Sequence, residues 1–78
     1  LLIIISTSGN SKNILKAINI AKEKNITCFG LLGKRGGLAL KEIDSSITIK
    51  SNRTCRIQEM HSIIIHIVCS LIEKNEFN

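Results

Sequence analysis

Proline, tryptophan and tyrosine are absent from this 78-residue chain, and phenylalanine occurs only at Phe29 and Phe77. The lack of proline and of low-complexity tracts argues against a linker or a disordered tail. An apolar fraction of 44% with 22% charged residues is that of a globular chain. Aromatic side chains on which bases could stack are too few for a nucleic-acid surface. The basic residues behind the net charge of +5 are also scattered, with no basic run longer than the pair Lys34-Arg35. The cysteines, Cys28, Cys55 and Cys69, form no CxxC and would leave one unpaired if two were bridged. They read as reduced thiols, Cys28 and Cys69 being small core residues within apolar runs. No apolar stretch approaches the ~20 residues that span a bilayer, and Leu1 to Ile5 lacks the basic flank of a signal peptide. A cytoplasmic chain without nucleic-acid or membrane partners is the expectation.

A chain of this length is at most one small domain, near the lower limit for burying a self-sufficient core. Leu1 to Ser6 is a continuous apolar run and reads as a strand buried on both faces of a parallel sheet. Ile14, Leu15, Ile18 and Ala21 have helical spacing with lysines opposite, which predicts a helix from Lys12 to Lys24, capped by Asn10 or Ser11 and stopped by Asn25. Further strands are predicted at Ile26–Leu32 and Ser46–Lys50, with the glycine-rich loop Gly33–Gly37 and one helical turn at Leu38–Lys41 between them. A long helix from Arg53 to about Lys74 carries a broad apolar surface, which suggests burial on more than one side, against a second subunit for example. The order strand, helix, strand, turn, strand, helix is that of a parallel α/β sheet with right-handed crossovers. Three strands are fewer than the usual five or so, so the pattern is that of half a domain.

Chemistry-bearing residues gather in two places. The turn Ser6-Thr7-Ser8-Gly9-Asn10-Ser11 lies between the end of a strand and the start of a helix, where ligands of open α/β sheets bind. Unpaired backbone N–H groups and rotatable hydroxyls there suit a phosphate, and Gly9 lets the backbone approach it. The turn matches neither GxxxxGK[ST] nor GxGxxG, so a single sugar phosphate is a better-sized ligand than a nucleotide. A polar loop with a helix cap accounts for the same residues equally well. In the glycine-rich loop, Gly30, Gly33, Gly36 and Gly37 read as an ordinary strand-to-helix turn, with Lys34 and Arg35 solvated.

In the last helix, Gln58, Ser62 and His66 fall within ~80° of one another and form a polar stripe. A neutral imidazole can move a proton or bind zinc, and a glutamine oxygen can hold a metal or a hydroxyl. A histidine hydrogen-bonded in an interface explains His66 without any such task. Glu59 and His61 read as helix-surface residues. Gln58 and His66 are separated by ~12 Å of rise, so both reach one metal only if the side chains bend together or different subunits contribute.

Taken together, Ile5-Ser6-Thr7-Ser8-Gly9-Asn10-Ser11, Ser51-Asn52-Arg53-Thr54 and Arg56-Ile57-Gln58-Glu59-Met60-His61, followed by His66, resemble the sugar isomerase (SIS) domains of phosphoheptose isomerases. The resemblance implies an α/β, parallel-sheet three-layer sandwich of the SIS (flavodoxin-like) type, of which residues 1–78 are the C-terminal half of a single domain. It implies an aldose–ketose isomerase converting sedoheptulose 7-phosphate to D-glycero-D-manno-heptose 7-phosphate, on the way to the activated heptose of lipopolysaccharide. Ser6, Thr7, Ser8 and Ser11 match substrate-binding positions. Gln58 matches a position contacting substrate and zinc, and His66 matches a zinc-ligand histidine also assigned acid/base work. The family's other zinc ligands, a His and a Glu, precede the serine turn, so the chain alone is expected to be inactive. A cytoplasmic homotetramer with sites between subunits is also implied. The alternatives are a non-catalytic SIS protein of the replication-initiator-binding type, or a phosphosugar sensor of a transcription regulator. His66 tilts against the first, and no helix-turn-helix pattern supports the second.

Overall fold

In the computed structural model, which describes residues 1–77, the chain runs β1 (Leu2–Ser6), α1 (Lys12–Glu23), β2 (Cys28–Gly33), a 3-10 turn (Leu38–Lys41), β3 (Ser45–Ile49) and α2 (Thr54–Phe77). The strands form one parallel sheet in the order β1-β2-β3, with Ile4 beside Gly30, Ser6 beside Leu32, and Leu32 beside Thr48. Every element expected from the sequence is present, with ends displaced by a few residues.

Alternation along the strands places Leu2, Ile4 and Leu32 on one face of the sheet. There Ile4 and Leu32 pack with Ile18 of α1 and Ala39 of the 3-10 turn, and Ile14, Leu15 and Ile43 border the cluster. On the opposite face, Gly33 makes room for α2: a Cβ built on it would lie 2.6 Å from side-chain atoms of Ile57. The helices therefore cover opposite faces, giving three layers with β2 at the centre.

The stop of α1 follows from Asn25, whose φ of 57° is left-handed. The Ile26 N–H donates to the Ala21 carbonyl and the Asn25 N–H to that of Lys22, which satisfies the last helical acceptors in a Schellman arrangement. Ser11 holds the N-cap position, and its hydroxyl makes no capping bond.

Three expectations are corrected. β1 is covered on one face only, with Ile3 and Ile5 about half exposed, because α1 packs on the side of Ile4 and α2 rests on β2. Cys69 is exposed rather than a core residue, since the helix leaves the sheet before reaching it; Cys28 is buried and Cys55 exposed. α2 is also long and apolar enough, by length and composition, to cross a membrane over Thr54–Glu76. Its first turns are nevertheless docked on the sheet through Ile57 and His61, which are both buried. Farther along, Ile63, Ile67, Val68, Leu71 and Ile72 remain exposed, so the apolar breadth seen in the sequence is uncovered within this chain.

An ion pair between Lys22 of α1 and Glu42 after the 3-10 turn joins two surface segments. The hydrogen bond and positive charge of Lys22 lower the Glu42 pKa below 4.5. A carboxyl group with a depressed folded pKa stabilises above its unfolded value, and that contribution is lost as pH falls through the folded one. The melting difference between the wild type and Glu42→Gln is thus expected to be small near neutrality and to vanish in acid. A difference that grows on acidification would contradict it.

Candidate functional site

The serine turn is preorganised by its own hydroxyls. The Gly9 N–H donates to Ser6 Oγ at 2.9 Å and the Asn10 N–H to Ser8 Oγ at 3.1 Å. An oxygen that accepts from the backbone still has its own O–H to give, so Ser6 and Ser8 keep donors for an anion. Ser11 keeps its hydroxyl because it does not cap α1. The first backbone bond of that helix runs from Leu15 N–H to the Ser11 carbonyl, which leaves the preceding N–H groups of the first turn without helical acceptors. No acidic residue occupies that first turn to compete with a bound anion.

The turn is held from behind by the glycine-rich loop, which therefore does more than connect two elements. Asn10 Oδ1 accepts from the Leu38 N–H at 2.8 Å, and the Gly9 carbonyl accepts from the Ala39 N–H at 2.9 Å. Gly9 has φ +70°, and a Cβ there would collide with the Gly36 carbonyl. Gly37, with φ +61°, abuts the Ser8 carbonyl in the same way.

Ser6, Thr7, Ser8 and Ser11 share one open cleft of about 490 Å³ with Gln58, His61 and Ser62 of α2, and Ile5, Ile14 and Ile65 complete its wall. The structure thus brings together all the sequence-predicted substrate-binding residues. His66 is exposed and is not part of that lining. It continues the Gln58–Ser62 stripe one helical turn farther along.

His61, read from the sequence as a surface residue, is instead 3% exposed. Its Nε2 lies 2.7 Å from the Leu32 carbonyl oxygen, and its Nδ1 is buried without a hydrogen-bond partner. Leaving such an acceptor unpaired costs about 1–3 kcal/mol. Its spacing of four from Ile57 and from Ile65 puts the three side chains on one side of α2, and the docking of Ile57 against Gly33 makes that the side that meets the sheet.

Structural zinc takes four protein ligands and catalytic zinc about three. Among the described residues no group of three or more His, Cys, Asp and Glu is placed to hold a metal. Of the pair implied by resemblance, Gln58 lines the cleft and His66 does not. The residues of this chain do not by themselves fit a zinc ion.

A larger cleft, about 580 Å³, lies among Lys34, Arg35, Leu40, Thr48, Lys50, Ser51 and Asn52. Its cations are exposed and it holds neither an imidazole nor a buried polar side chain, so the chemistry is better served by the serine cleft.

No family model matches the chain. It is 50% identical over 74 residues to phosphoheptose isomerase 1 of Campylobacter jejuni, covering 95% of this chain and 40% of that protein. To the phosphoheptose isomerase of Sulfurimonas denitrificans it is 51% identical over 73 residues, covering 94% and 37% respectively. The solved structure of a phosphoheptose isomerase from Francisella tularensis matches with a TM-score of 0.89 at 33% identity, over 94% of this chain and 41% of that one. That of a phosphoheptose isomerase from Neisseria gonorrhoeae matches with a TM-score of 0.88 at 38% identity, over 91% and 41%. The chain spans about 40% of the length of these relatives and resembles their C-terminal part in both sequence and fold.

Proposed function

We propose that this chain is the phosphate-holding part of a phosphoheptose isomerase, whose intact form interconverts sedoheptulose 7-phosphate and D-glycero-D-manno-heptose 7-phosphate toward lipopolysaccharide heptose. The observation that carries the reading is the convergence of the serine turn and Gln58, from opposite ends of the chain, on one cleft. A helix N-terminus with free hydroxyls suits a phosphate, and a glutamine amide beside it suits a sugar hydroxyl.

In aldose–ketose isomerisation a base takes a proton from the hydroxyl-bearing carbon beside the carbonyl, and an enediol(ate) forms. A proton then returns to the former carbonyl carbon while the two oxygens exchange theirs. The serine turn anchors the phosphate and so fixes the reacting carbons. His66 serves as one acid/base group, and a carboxylate from outside these residues serves as the other. The exposed apolar face of α2 supports association with a further subunit; the assembly proposed is a cytoplasmic homotetramer with its sites between subunits.

A second reading, a non-catalytic phosphosugar-binding protein, is favoured by the position of His66 outside the cleft lining. Incubating the intact protein with sedoheptulose 7-phosphate in deuterated water separates the two. Aldose product carrying deuterium on the former carbonyl carbon is expected. Binding without product supports the second reading, and neither binding nor product removes both.

A further inference from the structure

Among the described side chains of α2, two are buried, Ile57 and His61, and both lie in its first half. They are the points at which this helix is seated on the sheet. The two contacts differ in kind. Ile57 packs over Gly33, where a Cβ would lie 2.6 Å from its side-chain atoms, and apolar packing is non-directional. His61 ends on a single atom. A carbonyl oxygen has no hydrogen to give, so Nε2 carries the proton and donates to the Leu32 oxygen at 2.7 Å. Leu32 is the register partner of Ser6, where the serine turn begins. The bond thus ties α2 to the strand position beside the cleft.

Stability alone does not account for an imidazole at this seat. An apolar side chain of similar volume would fill it without burying Nδ1 unpaired, which costs about 1–3 kcal/mol. What the imidazole adds is a fixed second point. Held at Ile57 alone, the helix can pivot about that contact; held at both, it keeps one line. His61 stands about 6 Å of rise beyond Ile57 and His66 about 13.5 Å, so a shift of about 0.5 Å at His61 grows to about 1 Å at His66.

We infer that His61 is a positioning residue of the isomerisation: its bond to Leu32 stops α2 from pivoting about Ile57 and so fixes His66 relative to the phosphate held by the serine turn. The inference rests on the reading in which His66 moves the proton. His61 touches no substrate in this role.

Two variants of the intact protein test it with sedoheptulose 7-phosphate. His61→Leu fills the seat and deletes the bond, whereas His61→Gln keeps an amide N–H near the Nε2 position and cannot move a proton. In the leucine variant kcat is expected to fall about a hundredfold, the cost of roughly 1 Å of misplacement. KM and the inhibition by inorganic phosphate stay as in the wild type, because the serine turn is untouched. In the glutamine variant most of kcat returns, which a group doing acid/base work itself would not allow. Should His61→Leu fail to fold, His61→Asn, whose shorter amide does not reach the Leu32 oxygen, carries the same expectation.

Wild-type kcat in a folded leucine or asparagine variant overturns the inference and leaves the isomerase reading intact. So does a glutamine variant as slow as the leucine one. If neither the leucine nor the asparagine variant folds, His61 is a structural residue only and the inference falls. A wild-type protein that does not isomerise sedoheptulose 7-phosphate removes both the inference and the reading beneath it.

Discussion

Replacing His66 by glutamine in the intact protein is expected to lower kcat by about a hundredfold to ten-thousandfold, the usual contribution of a positioned acid/base group. Inhibition by inorganic phosphate should not change, because the donors proposed to hold the phosphate are on the serine turn and at the N-terminus of α1. Gln58 and Ser62 line the cleft, and His66 follows them on the same stripe, about 6 Å of helix rise beyond Ser62. His66 is exposed within this chain, so truncating it to an amide should leave the stability of the domain nearly unchanged. The prediction is thus a clean split between chemistry and binding. Unchanged turnover in the His66→Gln protein would sink the assignment, leaving His61, the imidazole that does line the cleft, as the remaining candidate.

The two histidines show where reading the sequence stops. The fold was legible because its signals are local. The apolar run ending at Ser6 predicts β1, the Ile14–Leu15–Ile18–Ala21 spacing predicts α1, and Asn25 marks its stop with the left-handed backbone the structure shows. The serine turn was legible for the same reason, since donors and a glycine sit together between a strand and a helix. His61 and His66 lie on one helix in similar apolar surroundings, and spacing alone assigns each a face without saying which face meets the sheet. That depends on Ile57 docking against Gly33 of β2, a contact between residues far apart in the chain.

The polar stripe suffered from the same ambiguity. Gln58 and Ser62 were expected to share a face with His66, and by rotation they do, but the cleft ends at Ile65. A helix passing over the edge of a small sheet brings only part of any stripe to the site. The exposed apolar residues beyond it, Ile67, Val68, Leu71 and Ile72, belong to the segment that has already left the sheet. Periodicity reports the direction of a side chain around the helix axis and carries no information about where along the axis the neighbour stops.

The glycine-rich loop braces the serine turn from behind, a contact between distant residues that local turn signals do not reveal, and this gives the second large effect: Gly9→Val is expected to destabilise the protein by about 3 kcal/mol or more and to abolish phosphate binding. Two costs combine. A β-branched residue at φ +70° is strained whatever the space around it, and a Cβ on Gly9 would lie 2.7 Å from the Gly36 carbonyl carbon and 3.2 Å from the Gly37 nitrogen. Those backbone atoms cannot step aside freely. The Gly36 N–H is bonded to the Gly33 carbonyl at 2.9 Å, and the Gly9 carbonyl itself accepts from Ala39 at 2.9 Å. Relief of the clash must separate the serine turn from the loop behind it, and with it the Ser6 and Ser8 oxygens that shape the cradle. Lys34→Gly is the matched control, because Lys34 is exposed and already holds a φ of 56° without glycine, so its replacement should be neutral or slightly stabilising. Thermal melting and phosphate inhibition of both variants check the argument. A Gly9→Val protein that melts and binds phosphate like the wild type would show that the loop does not brace the turn, and the preorganisation of the phosphate cradle would need another source.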